Sequence, residues 1–215
     1  MVKLVDQRCS ICDLPYEPNE DFCQNPHCKR SHRWFKWNYA IAMRDGTLEQ
    51  VLRLYKFQGK HQWAKIFARV LVGFLEENED IFRGFDLIVA NPTFVDIQQP
   101  FDHTRRVIEL AHTESRGEWP FDVSVGPRAI IKRARTPKMS RQPSWQKREE
   151  IATNDLRKAL VVPDSKRTAG KAILVYDDVF TDGHTLDEVA RCLHLQGKAS
   201  EVCGVSLTRQ PWTRR

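Results

Sequence analysis

The apolar run Ile173-Leu174-Val175-Tyr176 is short and β-branched, the pattern of a parallel strand covered on both faces. It ends in two carboxylates, Asp177 and Asp178, and Thr181-Asp182-Gly183-His184-Thr185 then turns the chain. Beyond the turn Leu186, Val189, Ala190 and Leu193 recur at helical spacing, with Gly197 as the stop. Phe85-Asp86-Leu87-Ile88-Val89-Ala90 predicts a second buried strand, running into Asn91-Pro92-Thr93. Earlier, Thr47 is placed to cap a helix with Leu48, Val51, Leu52 and Tyr55 on one face. Lys56-Phe57-Gln58-Gly59-Lys60 breaks it, and a second helix starts near Gln62. Its stripe of Trp63, Ile66, Phe67, Val70, Leu71 and Phe74 predicts the core face. Ala129-Ile130-Ile131, residues 158–162 and residues 202–207 complete the strand set. The aromatic, partly alternating stretch Trp34 to Ile41 predicts a strand at the edge of the main domain; with Arg33 and Lys36 beside them, Trp34 and Trp37 also suit stacking on bases. Strands interleaved with helices predict an α/β fold: a mainly parallel sheet flanked by helices.

Composition adds bounds. A chain of 215 residues holds one α/β domain and a small appendage, here divided as 1–45 and 46–215. With 41% hydrophobic and 29% charged residues, the chain is of the soluble globular class. No apolar run reaches the ~18 residues of a membrane span, and Met1 to Asp6 lacks a signal-peptide core, so the expectation is a cytoplasmic protein without a membrane partner. The net charge of +6 is concentrated in one place. Arg128 through Arg148 carries eight Lys and Arg and no acid, leaving the other residues at −2 (26 basic against 28 acidic). Such a segment suits a polyanion.

Four of the six cysteines fall in the first 28 residues, as Cys9-x2-Cys12 and Cys23-x4-Cys28. That spacing is zinc-ribbon arithmetic: four thiolates closing a tetrahedron around a structural zinc ion. The second gap is wide, so His27 or His32 in place of one thiolate stays open. A ribbon this small has no core of its own and depends on the metal to fold. Cys192 and Cys203 sit in apolar segments and read as buried thiols.

The strand-to-helix turn carries the chemistry. A helix N-terminus presents free N–H groups and the positive end of the dipole, which suits a phosphate. Gly183 permits close approach, and Thr181 and Thr185 add hydroxyl donors. Asp177 and Asp178 repel a phosphate and so require another partner: vicinal ribose hydroxyls, or magnesium with its waters.

The run Val175-Tyr176-Asp177-Asp178-Val179-Phe180-Thr181-Asp182-Gly183-His184-Thr185 resembles the phosphoribosyl-diphosphate (PRPP) signature of type I phosphoribosyltransferases. The order of cysteines, Lys56-Phe57-x-Gly59, strand-Pro loop, basic segment and this signature resembles the ComF-type members. The resemblance implies that Asp177 and Asp178 hold the ribose hydroxyls. It further implies that Thr181, Asp182, Gly183, His184 and Thr185 hold the 5′-phosphate. Asn91, Pro92 and Thr93 match the place of the pyrophosphate loop. Phe101-Asp102-His103 resembles the family's Gly-Phe-Asn-Gln box, with Pro100 where the glycine stands. Arg135, Gln142, Arg148 and Asn154 resemble its Arg…Gln…Arg…Asn set.

Lys132 to Arg148, with Pro137 and Pro143 and no apolar period, predicts a mobile loop. By the same resemblance it closes over the diphosphate, where Lys132, Arg133, Arg135, Lys138 and Arg141 neutralise the leaving pyrophosphate. The implied reaction is transfer of phosphoribosyl from PRPP to a nitrogenous acceptor, with magnesium. Two readings stand beside it. One is a single-stranded-DNA-binding adaptor for DNA uptake or processing, with a protein partner there; the other is a PRPP sensor without turnover.

Overall fold

The computed structural model describes residues 7–16, 20–123, 126–139, 142 and 144–211. At its centre is a four-stranded parallel sheet in the order β1-β6-β5-β2. The strands are β1 (Asn38–Met43), β2 (Leu87–Ala90), β5 (Ala172–Phe180) and β6 (Glu201–Arg209). Register is fixed by pairs such as Leu87↔Ile173, Leu174↔Cys203 and Asn38↔Gly204. A second, two-stranded antiparallel sheet joins β3 (Ile131–Lys132) to β4 (Leu160–Val161).

Side chains alternate along β5, and so the strand serves two cores. Ile173 and Val175 face Leu87, Val89 and the apolar stripe of α7 (His184–Leu195), together with the cysteine arm. Leu174 and Tyr176 face Ile88, Val205 and Leu207, under α2 (Trp63–Glu77) and α4 (His103–Glu114). Both faces are covered, which explains the unbroken apolar run in a parallel strand. Among the described residues no helix is long and apolar enough to cross a membrane.

Several elements differ from the sequence expectation. Helix α1 (Gly46–Phe57) is entered from Asp45, with Thr47 already inside it. In α2 the buried residues are Ala64, Phe67, Ala68, Leu71, Val72 and Leu75, while Ile66 and Val70 of the predicted stripe are exposed. The stripe is rotated because Ala64 and Ala68, fully buried, allow close approach to α4 and the sheet. α3 (Glu79–Phe82) follows.

The strand expected at Ala129-Ile130-Ile131 is the short β3, and 158–162 supplies only β4; neither joins the main sheet. The expected loop from Lys132 to Arg148 gives way at Trp145 to α5 (Trp145–Ile151). This helix is capped by Ser144, whose hydroxyl accepts from the Lys147 N–H, and it continues through a π turn (Ala152–Leu156) into α6 (Arg157–Ala159). Gly197 is not left-handed; Lys198 is, at φ 56°. Gly197 is needed for space instead, since a Cβ there would stand 2.5 Å from the Leu193 carbonyl oxygen.

β1 lies within residues 1–45, yet it pairs with β6 as the edge strand of the main sheet. Trp37 packs on Tyr39, Phe82 and Phe85, and Trp34 on His32 and His194. Phe35 is buried, and Trp34, Trp37 and Tyr39 are half-buried packing residues.

Candidate functional site

The carboxyl ends of β2 and β5 open into a two-lobed cleft, the usual ligand position in an open parallel sheet. One lobe, about 1150 Å³, is lined by Asp177, Thr181, Asp182, Gly183 and Thr185 together with Arg44, Arg53, Trp145 and Arg148. The other, about 1030 Å³, is lined by Asp177, Asp178, Asn91, Pro92 and Thr93 together with Lys56, His103, Lys132, Arg135 and Lys138. The residues expected after β2 and β5 are therefore brought together.

The two acids have different partners. Asp178 is buried, with its Oδ2 2.5 Å from Lys56 Nζ and 3.1 Å from His103 Nε2. Burial pushes this carboxyl up, but Lys56 and His103 outweigh it and hold it well below the usual carboxylate range. Asp177 accepts from the Asn91 side-chain amide at 2.8 Å and from the Asp178 N–H at 2.8 Å. Burial and the adjacent Asp178 push its carboxyl up to about 7. The pair thus holds one firm negative charge and one that titrates near neutrality. Asn91 is fixed in turn: its N–H donates to the Tyr176 carbonyl at 2.7 Å, and its own carbonyl accepts from the Thr104 hydroxyl at 2.8 Å.

After β5 the chain passes Gly183, left-handed at φ 103°, into α7. A Cβ on this glycine would meet Phe180 at 3.1 Å and His27 and Phe35 at 3.4 Å. Asp187 is the first residue of α7 whose N–H bonds back, to the Gly183 carbonyl at 2.9 Å, so the N–H groups of His184, Thr185 and Leu186 have no intrahelical acceptor. Thr181 and Thr185 border the cleft. Asp182 is paired with Arg148, Nε to Oδ2 at 2.6 Å. His184 turns inward: its ring lies 4.8 Å from Trp145 and 5.2 Å from His27, and burial brings its pKa down to about 4. Of the five turn residues, Thr181 and Gly183 border the cleft, Thr185 borders it with its hydroxyl turned to Met139, and Asp182 and His184 hold the turn.

The basic segment lies along the cleft. Lys132 is held by the Thr136 hydroxyl at 2.7 Å, and burial lowers its pKa. Arg135 makes two bonds to Asp96, at 2.9 and 2.6 Å, and Lys138 sits over the Phe57 ring at 5.1 Å. Met139 reaches the Thr185 hydroxyl at 3.6 Å. Arg133 is exposed and does not border the cleft; its backbone N–H is tied to the Ala159 carbonyl at 2.8 Å. Arg141 lies outside the described residues.

The four N-terminal cysteines form a second centre. The sulfurs of Cys9, Cys12, Cys23 and Cys28 all lie within 4.8 Å of one another, close enough to hold a metal ion. Hydrogen bonding among the four thiols drives Cys12 well below the thiol range and Cys23 and Cys28 well above it; four thiolates this close repel one another unless a cation lies between them. The N–H groups of Ile11 and Asn25 donate to the Cys9 and Cys23 sulfurs, each at 3.4 Å. His27 and His32 are elsewhere: His27 faces Asp187 at 3.6 Å and stacks on Phe35, and His32 packs on Trp34. The donor set is the four thiols.

Lys56, His103 and Arg209, like Arg44, Arg53 and Trp145 in the first lobe, are residues that sequence reasoning left without a role. Lys56 and His103 stand in the Lys56-Phe57-x-Gly59 and Phe101-Asp102-His103 stretches, but nothing local indicates that both converge on Asp178. Arg209 ends β6, fully buried against the arm. Compared with protein-family models and with curated proteins, the chain finds no match.

Proposed function

We propose that this protein binds PRPP at the end of β5 and transfers its phosphoribosyl group to a nitrogenous acceptor, releasing pyrophosphate. One observation carries the reading: β5 delivers Asp177 and Asp178 to the sheet's carboxyl edge, and a left-handed glycine then opens α7 into the same cleft. Vicinal hydroxyls match adjacent carboxylates, and a 5′-phosphate matches the free N–H groups and hydroxyls of the turn. In this reading the ribose 5′ end takes the lobe of Thr181, Gly183 and Thr185. The diphosphate takes the lobe of Lys56, Lys132, Arg135 and Lys138.

Displacement at ribose C1 passes through an oxocarbenium-like state. The chain's part is therefore positioning and electrostatic stabilisation. Asp178, kept ionised by Lys56 and His103, supplies fixed negative charge beside the developing cation. Asn91 orients Asp177. The lysines and Arg135 take up charge on the departing diphosphate. Magnesium carried on the diphosphate oxygens would neutralise the same leaving group. At the four thiols the proposed ion is zinc, in a closed structural site with no open coordination position.

The test is calorimetry with PRPP and magnesium, then a pyrophosphate-release screen over nitrogenous bases. Micromolar binding with release is the expected result. Absence of binding sinks the proposal, and binding without release on any base turns it into a sensor.

A further inference from the structure

The turn between β5 and α7 rests on the cysteine arm, and two separate hydrogen-bonded routes join them. Arg209 is the first. Its Nε donates to the Cys12 carbonyl at 3.0 Å, and one terminal nitrogen reaches the Cys12 sulfur at 3.5 Å. The other terminal nitrogen donates to the carbonyls of Thr181 and, at 3.3 Å, Phe180. Asn25 is the second. Its N–H donates to the Cys23 sulfur at 3.4 Å, and its side-chain amide donates to the Asp182 carbonyl at 3.0 Å.

Three successive carbonyls of the turn are thus drawn toward donors seated on Cys12 and Cys23. A trans peptide is planar, so its N–H points opposite its C=O. Pulling the carbonyls of Phe180, Thr181 and Asp182 down onto the arm aims the next N–H groups, of Thr181, Asp182 and Gly183, away from it. These residues border the cleft. Successive N–H groups aimed into one concavity make an anion nest.

We propose that Arg209 and Asn25 are positioning residues that aim this nest, and that a metal ion on the four cysteines fixes both. Metal occupancy and anion binding at the turn are then coupled. The anion half of this inference rests on the phosphoribosyl reading; the metal half does not.

The test begins with the zinc-loaded chain and no ligand. The amides of Asp187 and Gln210 bond to the Gly183 and Phe180 carbonyls, each at 2.9 Å, and their hydrogen exchange reports whether the turn stays in place. Chelating the zinc is expected to speed their exchange about tenfold or more, with the α2 amides unchanged. By reciprocity, PRPP or inorganic phosphate should tighten zinc affinity, read by equilibrium competition with a chelator, by the factor through which zinc tightens their binding. In zinc-loaded Asn25→Ala and Arg209→Lys that factor should shrink about tenfold while zinc stays stoichiometric.

A merely structural role would lower stability without making zinc retention depend on the anion. Unchanged exchange at Asp187 and Gln210 on zinc removal overturns the proposal, as does an unchanged factor in both variants. Should chelation unfold the whole chain, or Arg209→Lys fail to fold, zinc-loaded Asn25→Ala decides through its exchange at Asp187. Should neither anion bind, the phosphoribosyl reading fails, and the exchange experiment still decides the coupling to the metal.

Discussion

The two faces of β5 solve the same problem by different means. Toward α2 and α4 the core is aliphatic and aromatic: Phe67, Leu71, Leu75, Ile88, Val107, Ile108, Leu174 and Tyr176. Burial of that area stabilises it without help. Toward the arm the core mixes Ile173, Val175, Phe180 and Val189 with Cys9, Cys12 and Cys23. Four thiols within 4.8 Å give no comparable apolar area and repel one another once ionised. The rest of that face is aliphatic, with Leu87, Val89, Leu156, Leu160 and Leu193, so the proposed dependence on a bound cation falls on the part covered by the arm. One face of the sheet is apolar throughout; the other, where the arm covers it beneath the β5–α7 turn, is conditional if the proposed metal ion binds there.

The largest expected effect breaks this asymmetry at the metal. A structural zinc ion contributes roughly 10–16 kcal/mol of folding free energy in small modules. Cys12→Ser, or chelation, should abolish bound zinc and lower the Tm of the arm, while the α2 and α4 amides keep their protection. Elemental analysis with hydrogen exchange checks this; full zinc and an unaltered Tm in Cys12→Ser would remove the conditional half of the comparison.

The next effect lies on the other face. Leu71 is fully buried and Ile66 is 46% exposed, although both belong to one apolar stripe in the sequence. Leu71→Ala should cost about 2–5 kcal/mol, and Ile66→Ala about 0.5 kcal/mol or less. Zinc content should stay the same in both. Equal losses in urea unfolding would mean that α2 is rotated otherwise.

That pair also marks the limit of what the sequence reveals. Local features were legible: the buried run of β5, the acid pair, the glycine that opens α7, and the spacing of the cysteines. Each is written in contiguous residues. Periodicity located α2 but not its facing side, because Ala64 and Ala68 become core only through contact with α4 and the sheet. Helix α5 hid inside a basic, proline-bearing segment, since Trp145 and Ile151 are too few to make a stripe. The occupation of Asp178 by Lys56 and His103, and of the turn by Arg209, depends on residues far apart in the chain. No local pattern encodes it.

The third effect sharpens the comparison where the two faces meet, at the β5–α7 turn. Removing a charge-assisted hydrogen bond to a ligand costs roughly 1.5–3 kcal/mol, or about ten- to a hundredfold in affinity. Asp178→Asn should weaken PRPP by that factor and leave inorganic phosphate untouched, because phosphate has no ribose. Gly183→Val should weaken both: φ 103° disfavours a β-branched residue, and Phe180 stands 3.1 Å from the new Cβ. Calorimetry at a temperature well below the Tm of each variant reads the difference. Equal loss of both ligands in Asp178→Asn would move the ribose away from the acid pair.

The smallest signal is a pH slope produced by two groups of opposite sign, the half-buried Asp177 and the buried His184. Asp177 titrates at about 7 in the fold against an ordinary 3.8. The folded state therefore keeps a proton that the unfolded chain has lost, and this contribution to stability falls as pH rises from about 4 to about 7. His184 titrates at about 4 against an ordinary 6.5, because burial disfavours its charged form. Here the unfolded chain binds the extra proton, and stability rises with pH from about 4 to 6.5. Asp178 adds nothing in this window; its depressed pKa makes a contribution that is lost only as pH falls below the ordinary 3.8. The two slopes oppose each other in the wild type and leave a shallow profile. Asp177→Asn should unmask the rise that belongs to His184, and His184→Gln should unmask the fall that belongs to Asp177. Urea midpoints followed across pH ~4 to ~8 read both slopes. If both variants keep the wild-type profile, neither group carries a shifted proton, and the acid pair holds its charge by some means other than burial beside Lys56 and His103.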